Sequence, residues 1–266
     1  EALEILNEKI ELHPDIEQAM LKKGPKAYST AGWLGLTDEE ISNTISEMQS
    51  QGFDCFKMKV GQNLNHDKDR LAFIRSIIGD EAKLMVDCNQ LWGVDEAIEY
   101  MNQLSEFNPI WIEEPTARDD VRGHIKITQA LQGLNIKVAC GEQVPSPVIF
   151  KQLLQSGGIG YCQIDASRLG GVNDVLAVIL MAKKFAVPIC PHGGGIGLCN
   201  MIVHYAIWDQ VKVASHSDNQ VVEYIEFLQD NVFLNPIQVK NGHYVSPSAF
   251  GWGLEMQDDF FNNHKY

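Results

Sequence analysis

Apolar residues switch repeatedly between two spacings along the chain. Short runs rich in Val, Ile, Met and Cys alternate with longer segments whose apolar positions recur every three to four residues. The first pattern predicts buried strands and the second amphipathic helices. Helical spacing covers residues 1–23. A strand over 27–30 and the turn AGWLGL follow. T-D-E-E from Thr37 reads as a capping box opening a helix to about Gln51. From there CFKMKV, KLMVDCN, IWIEEP, KVACGE, YCQIDAS, PICPHGG and the start of QVVEYIEF read as strands, with a helical segment after each of the first six. Eight β/α units in this length predict an α/β fold, a TIM-type (β/α) barrel, with a doubly wound open sheet as the alternative.

Nothing divides the chain internally. We expect residues 1–24 to form a linking helix, 25–234 the barrel, and the more irregular 235–266 to return toward a further domain. The chain opens on Glu1 inside a helical pattern and reads as a fragment, with any targeting segment outside it.

Composition narrows the function classes. The 266 residues carry a net charge of −14, which argues against nucleic acid or an anionic membrane as partner. Apolar runs such as 175–182 are too short to cross a bilayer. None of the six cysteines forms a C-x-x-C pair, and most lie in strand-like stretches. They read as reduced core thiols of an intracellular protein, cytoplasmic or mitochondrial. HGGG resembles a lipase oxyanion loop, but no serine has glycine at both −2 and +2, so the hydrolase elbow is missing. No G-x-G-x-x-G or Walker A run is present either.

The charged positions carry the chemistry. Lys57 and Lys59, Asp87, Glu113 with Glu114, Glu142, Asp165 and His192 fall at the C-terminal ends of successive strands, and Glu223 lies in the eighth. Their steps of 23 to 31 residues match one β/α unit, so a barrel gathers them at one mouth. Alternation puts Lys57 and Lys59 on one face. A surface strand could show the same pattern, but a barrel strand has no solvated face, so these lysines must meet anions in the mouth. Asp87, Glu113 and Glu142 form an all-oxygen set suited to Mg²⁺. Parity places Glu113 with Trp111 and turns Glu114 to the other face. Asp165 and His192 end neighbouring strands and could pair as a dyad.

These residues, in this order, resemble the enolase superfamily, in its mandelate-racemase-like group. FKMKVG, DCNQLW, WIEEPTARDDVRGH, QIDASRLGGVN, CPHGGGIGLCN and GWLG look like L-fuconate dehydratases, over nearly the whole chain. The resemblance implies an acid sugar substrate whose carboxylate meets Mg²⁺ on Asp87, Glu113 and Glu142. It implies Lys59 as the base, with a pKa lowered by Lys57 and the metal, and Lys57 at the substrate carboxylate. His192, oriented by Asp165, would protonate the departing 3-hydroxyl, while Asn89 and Glu223 bond substrate oxygens. The product would be a 2-keto-3-deoxy sugar acid. QVPSPV after Glu142 stands where relatives are expected to carry Asn-Arg, which bears on which acid sugar is taken. Another acid sugar, or a non-catalytic binding or regulatory relative, are the alternatives. Barrels of this kind often assemble, which makes a homo-oligomer a further expectation.

Overall fold

A computed structural model describes residues 1–7, 14–214, 219–228, 232–248 and 250–263. Two helices, α1 (Ala2–Asn7) and α2 (Pro14–Lys23), stand where one was expected. Residues 8–13 lie outside the described residues. Pro14 opens α2, in the first turn, where a missing N–H costs no helical hydrogen bond.

The alternation then runs as β1 (Ala27–Gly32), α3 (Asp38–Ser50), β2 (Cys55–Lys59), α4 (Leu64–Ile78), β3 (Lys83–Asp87), α5 (Val94–Leu104), β4 (Pro109–Glu113) and α6 (Val121–Leu131). It continues as β5 (Lys137–Cys140), α7 (Pro147–Gln155), β6 (Tyr161–Cys162), α8 (Val172–Lys184), α9 (Leu198–Trp208) and β7 (Val222–Tyr224). The capping box of α3 forms as expected. Thr37 accepts from the Glu40 backbone N–H, and the Glu40 carboxylate accepts from the Thr37 N–H at 2.8 Å.

The sheet has seven parallel strands in the order β6-β5-β4-β3-β2-β1-β7. PICPHGG is not a strand, contrary to expectation. It makes one regular bridge, Ile189 to Cys162. Pro188 and Pro191 have no N–H to donate to a ladder, which accounts for the loss. The segment still fills the eighth place. Cys190 N donates to Cys162 O at 2.9 Å, His192 N to Ile164 O at 3.1 Å, and Glu223 N to Pro191 O at 3.2 Å. These bonds join β6 to β7 and close the ring. YCQIDAS is likewise a strand only at its first two residues.

Alternation along the strands sorts the interior into two apolar clusters. Phe56, Met58, Leu84, Val86, Ile112 and Val138 point outward and pack on Ile41, Leu71, Ile74 and Met101 of the helical shell. Tyr28, Cys55, Met85, Trp111, Ala139, Cys190 and Val221 point inward and plug the ring. Tyr28 meets the Trp111 ring edge-on at 5.6 Å, and Tyr161 packs on Trp111 at 4.8 Å. This plug is the floor of the mouth. All six cysteines are buried and free, as expected of core thiols.

Beyond the ring, the antiparallel hairpin β8 (Val239–Lys240) and β9 (His243–Tyr244) sits beside the start of β1. Ala27 N donates to Gly242 O at 2.9 Å, and Gly242 N to Gln51 O at 2.8 Å. The last described element is α10 (Asp258–Asn263). Among the described residues no helix is long and apolar enough to cross a membrane.

Candidate active site

One step above the apolar plug, the inward positions change from apolar to charged. Thr30, Lys57, Asp87, Glu113, Gln163 and Glu223 are all buried and form one polar layer. Lys57 is its hub. Its Nζ lies 2.7 Å from Glu113 Oε1, 2.9 Å from Glu223 Oε1 and 3.5 Å from Asp87 Oδ2. The Tyr28 ring lies 5.4 Å from the same ammonium. Burial works against the charge, but Glu113 and Glu223 hold the Lys57 pKa well above its usual value.

The carboxylates answer differently to the same surroundings. Burial, followed by the charge of Asp87, pushes Glu113 well above the ordinary range. Burial also opposes ionisation of Asp87 and Glu223. Lys57 and Lys59 nevertheless hold Asp87 down, and Lys57 and His192 hold Glu223 well down. Glu113 Oε2 accepts from Gln163 Nε2 at 2.7 Å and from Trp111 Nε1 at 3.3 Å. Glu223 accepts from Thr30 Oγ1 at 2.7 Å and from the Gly193 N–H at 2.9 Å.

Lys59 stands higher in the mouth. Its Nζ donates to Asp87 Oδ2 at 2.5 Å and Asn89 Oδ1 at 2.7 Å, with the Trp33 ring 5.2 Å away. Burial pulls the Lys59 pKa down and Asp87 pulls it up, and the outcome lies above the usual value. Lys57 acts in the expected direction and lowers it, but the Asp87 carboxylate in direct contact outweighs that influence. Asn89 also donates from Nδ2 to Glu142 Oε1 at 3.3 Å and from its backbone N–H to Asp87 Oδ1 at 2.9 Å.

His192 and Asp165 meet as a dyad, Nδ1 to Oδ2 at 2.8 Å. On the far side of the ring, Nε2 lies 3.3 Å from Glu142 Oε2 and 3.7 Å from Glu223 Oε2. Burial lowers the imidazole pKa, but the Asp165 bond raises it and the net direction is upward. Asp165 is held below its usual range despite its burial, chiefly by His192 and Ser167. Its Oδ1 accepts from Ser167 N at 2.7 Å and Ser167 Oγ at 2.6 Å, while Arg168 binds the same Oδ2 as His192.

Asp87, Glu113 and Glu142 each offer an oxygen within 4.8 Å of the others, and all three are buried. Asp87, Glu113, Glu142, Asp165 and Glu223 bring five carboxylates to the mouth. Lys57, Lys59 and Arg168 bring three cations. The three clustered carboxylates offer hard oxygen donors alone, and that donor set fits a metal such as Mg²⁺. Glu114 faces away from the cluster and accepts from Gln90 Nε2 at 3.1 Å, as parity predicts.

Lys57, Lys59, Asp87, Asn89, Glu113, Glu142, Asp165, His192 and Glu223, the residues expected to act, all lie in this one cluster. Those missed are its partners, Thr30, Gln163, Trp33 and Arg168. Thr30 and Gln163 share inward parity with Tyr28 and Asp165, so alternation alone could have found them.

Residues 40–260 match the family model described as enolase C-terminal domain-like. The chain belongs to that family, a (β/α) barrel class of the enolase superfamily. It is 43% identical, over its whole length, to mitochondrial enolase superfamily member 1 of Homo sapiens. The crystal structure of that human protein superposes over 99% of the chain with a TM-score of 0.95. Over 94% of the chain, identity to the L-galactonate dehydratase of Hypocrea jecorina is 45%. L-talarate dehydratase from Polaromonas sp. JS666, solved with Mg and L-glucarate, superposes over 90% of the chain with a TM-score of 0.77 at 26% identity, the chain covering 63% of that structure. The chain spans 60% of the length of the human relative, in sequence and in structure, and 56% of the fungal one.

Proposed function

We propose that the protein carrying this chain is a Mg²⁺-dependent acid sugar dehydratase acting on L-fuconate. Asp87, Glu113 and Glu142 would hold the ion, which supplies a Lewis acid for the substrate carboxylate. Lys59 takes the proton from the carbon next to that carboxylate. His192, aligned by Asp165, delivers a proton to the 3-hydroxyl as it departs, and the enol product ketonises to a 2-keto-3-deoxy sugar acid. Lys57 neutralises the layer beneath and presents positive charge to the substrate carboxylate. Asn89 and Glu223 bond substrate oxygens.

The observation that carries this reading is the placement of Lys59 and the His192–Asp165 dyad around one carboxylate cluster. Elimination needs a base and an acid at adjacent carbons, and the position of Lys59 and His192 beside one carboxylate cluster supports those roles. The substrate rests on the resemblance of the sequence runs to L-fuconate dehydratases. L-Fuconate is 6-deoxy-L-galactonate, so the name of the fungal relative supports the same configuration and makes L-galactonate the second candidate. In this reading residues 1–24 lead in from a further domain, 25–234 form the catalytic barrel, and 235–266 pack back toward that domain.

The test is to incubate the full-length protein with Mg²⁺ and a panel of acid sugars and to measure 2-keto acid formation. Fastest turnover of L-fuconate supports the proposal. Preference for another acid sugar keeps the reaction and overturns the substrate. Mg²⁺ binding with no turnover of any of them favours a non-catalytic relative.

A further inference from the structure

Arg70 belongs to α4, outside the ring, yet its guanidinium reaches the ends of two strands. Nη1 donates to Lys59 O at 2.9 Å. Nη2 donates to Trp33 O at 2.9 Å and Gly32 O at 3.2 Å. One turn earlier in the helix, Asp67 Oδ2 accepts from the Gly61 N–H at 2.7 Å. Both side chains are buried. A guanidinium presents its donors in one rigid plane, so these carbonyls are held in a fixed relation to each other. The ladder between β1 and β2 is irregular just before this point, between Ser29 and Gly32, and Arg70 adds side-chain bonds to the ends of both strands there. What Arg70 ties together is Lys59 and Trp33, the residue whose ring lies 5.2 Å from the Lys59 ammonium.

From this geometry we infer that Arg70 is a positioning residue for proton transfer at Lys59, fixing the strand end and the Trp33 wall relative to Asp87 and Asn89. The inference rests on the dehydratase reading above. Arg75 of the same helix provides the contrast. It also bonds carbonyls, of Phe107, Gly79, Ala82 and Asn108, but these precede β3 and β4 at the opposite end of the barrel. A lysine at position 70 would keep the charge yet offer a point donor that cannot span three carbonyls.

The experiment compares full-length wild type with Arg70→Met, Arg70→Lys and Arg75→Met. Both Arg70 variants are expected to lose about 10²-fold in kcat, since a displacement of about 1 Å at a reacting group has that effect. Their KM and Mg²⁺ affinity should stay within about twofold of wild type. Arg75→Met is expected to lower thermal stability but to keep kcat per folded molecule. Arg70→Lys keeps the test alive if Arg70→Met does not fold, and its crystal structure should show Lys59 Nζ displaced from Asn89. Wild-type kcat in Arg70→Lys overturns the inference. So does a crystal structure of that variant in which Lys59 keeps its contacts of 2.5 Å to Asp87 and 2.7 Å to Asn89. If the wild type itself dehydrates no acid sugar, the dehydratase reading fails alone, and the crystallographic comparison still decides whether Arg70 positions Lys59.

Discussion

Lys57 Nζ lies 2.7 Å from Glu113 Oε1, and neither side chain reaches solvent. With Glu223 at 2.9 Å and Asp87 at 3.5 Å, one ammonium serves three buried carboxylates. Removing one partner of a buried pair leaves the other charge stranded, at a cost of about 3–5 kcal/mol. Lys57→Met should therefore lower the free energy of unfolding in urea by about that amount. Mg²⁺ should recover part of it, because a dication bound to the folded state stabilises by about 2.7 kcal/mol at a hundred times its Kd. An unchanged urea midpoint in the variant would mean that the carboxylates take up protons instead, and the counter-ion role would fall.

Lys59 has a different consequence. It is the upper of the two lysines and lies over the mouth with Asp87, Asn89 and Trp33. Lys59→Ala should reduce turnover by about 10²–10⁴-fold, the usual contribution of a positioned acid or base. Mg²⁺ binding, followed by titration calorimetry, should remain measurable. Normal turnover in the variant would remove Lys59 from the role of base.

The cluster was legible in the sequence for a geometric reason. Charged residues on successive strands from the second onward, one β/α unit apart, can only converge if the sheet closes. Parity then separates Glu113 from Glu114 without further information. The seventh expected strand, PICPHGG, was misread because Ile189 and Cys190 have strand character while Pro188 and Pro191 remove the donors a ladder needs. The Arg70 clamp was illegible because its acceptors are backbone carbonyls in Gly32, Trp33 and Lys59, and no residue type announces a carbonyl.

Glu142 enters the mouth by a turn that one glycine permits. Lys137 and Ala139 alternate inward along β5, and Glu142 breaks that alternation after Gly141, whose φ is 148°. A Cβ on Gly141 would stand 2.5 Å from the Gln163 carbonyl oxygen and 2.9 Å from the Phe150 ring. Gly141→Ala should cost about 1–3 kcal/mol of stability through backbone strain. It should also weaken Mg²⁺ binding about 10–100-fold, the usual effect of disturbing what orients a ligand. Wild-type metal affinity in a folded Gly141→Ala protein would show that Glu142 reaches its place without this turn.

Asp209 sits far from the mouth, at the end of α9, and supplies a test of stability against pH. Burial pushes its pKa to about 7, against the opposing influence of a hydrogen bond from Gln220 and the charge of Lys183. An ordinary aspartate titrates near pH 4, at about 3.9. Between these values the folded chain holds a proton that the unfolded chain has lost, so stability falls as pH rises from about 4 to about 7. Three pKa units correspond to about 4 kcal/mol as an upper bound. Asp209→Asn keeps an oxygen for Gln220 and removes the titration. The wild-type urea midpoint should drop between pH 5 and pH 8 by more than that of Asp209→Asn, and the difference between the two proteins isolates this residue from the other buried carboxylates. Equal pH dependence in both would mean that Asp209 is ionised in the fold at pH 5, with Gln220 and Lys183 outweighing its burial.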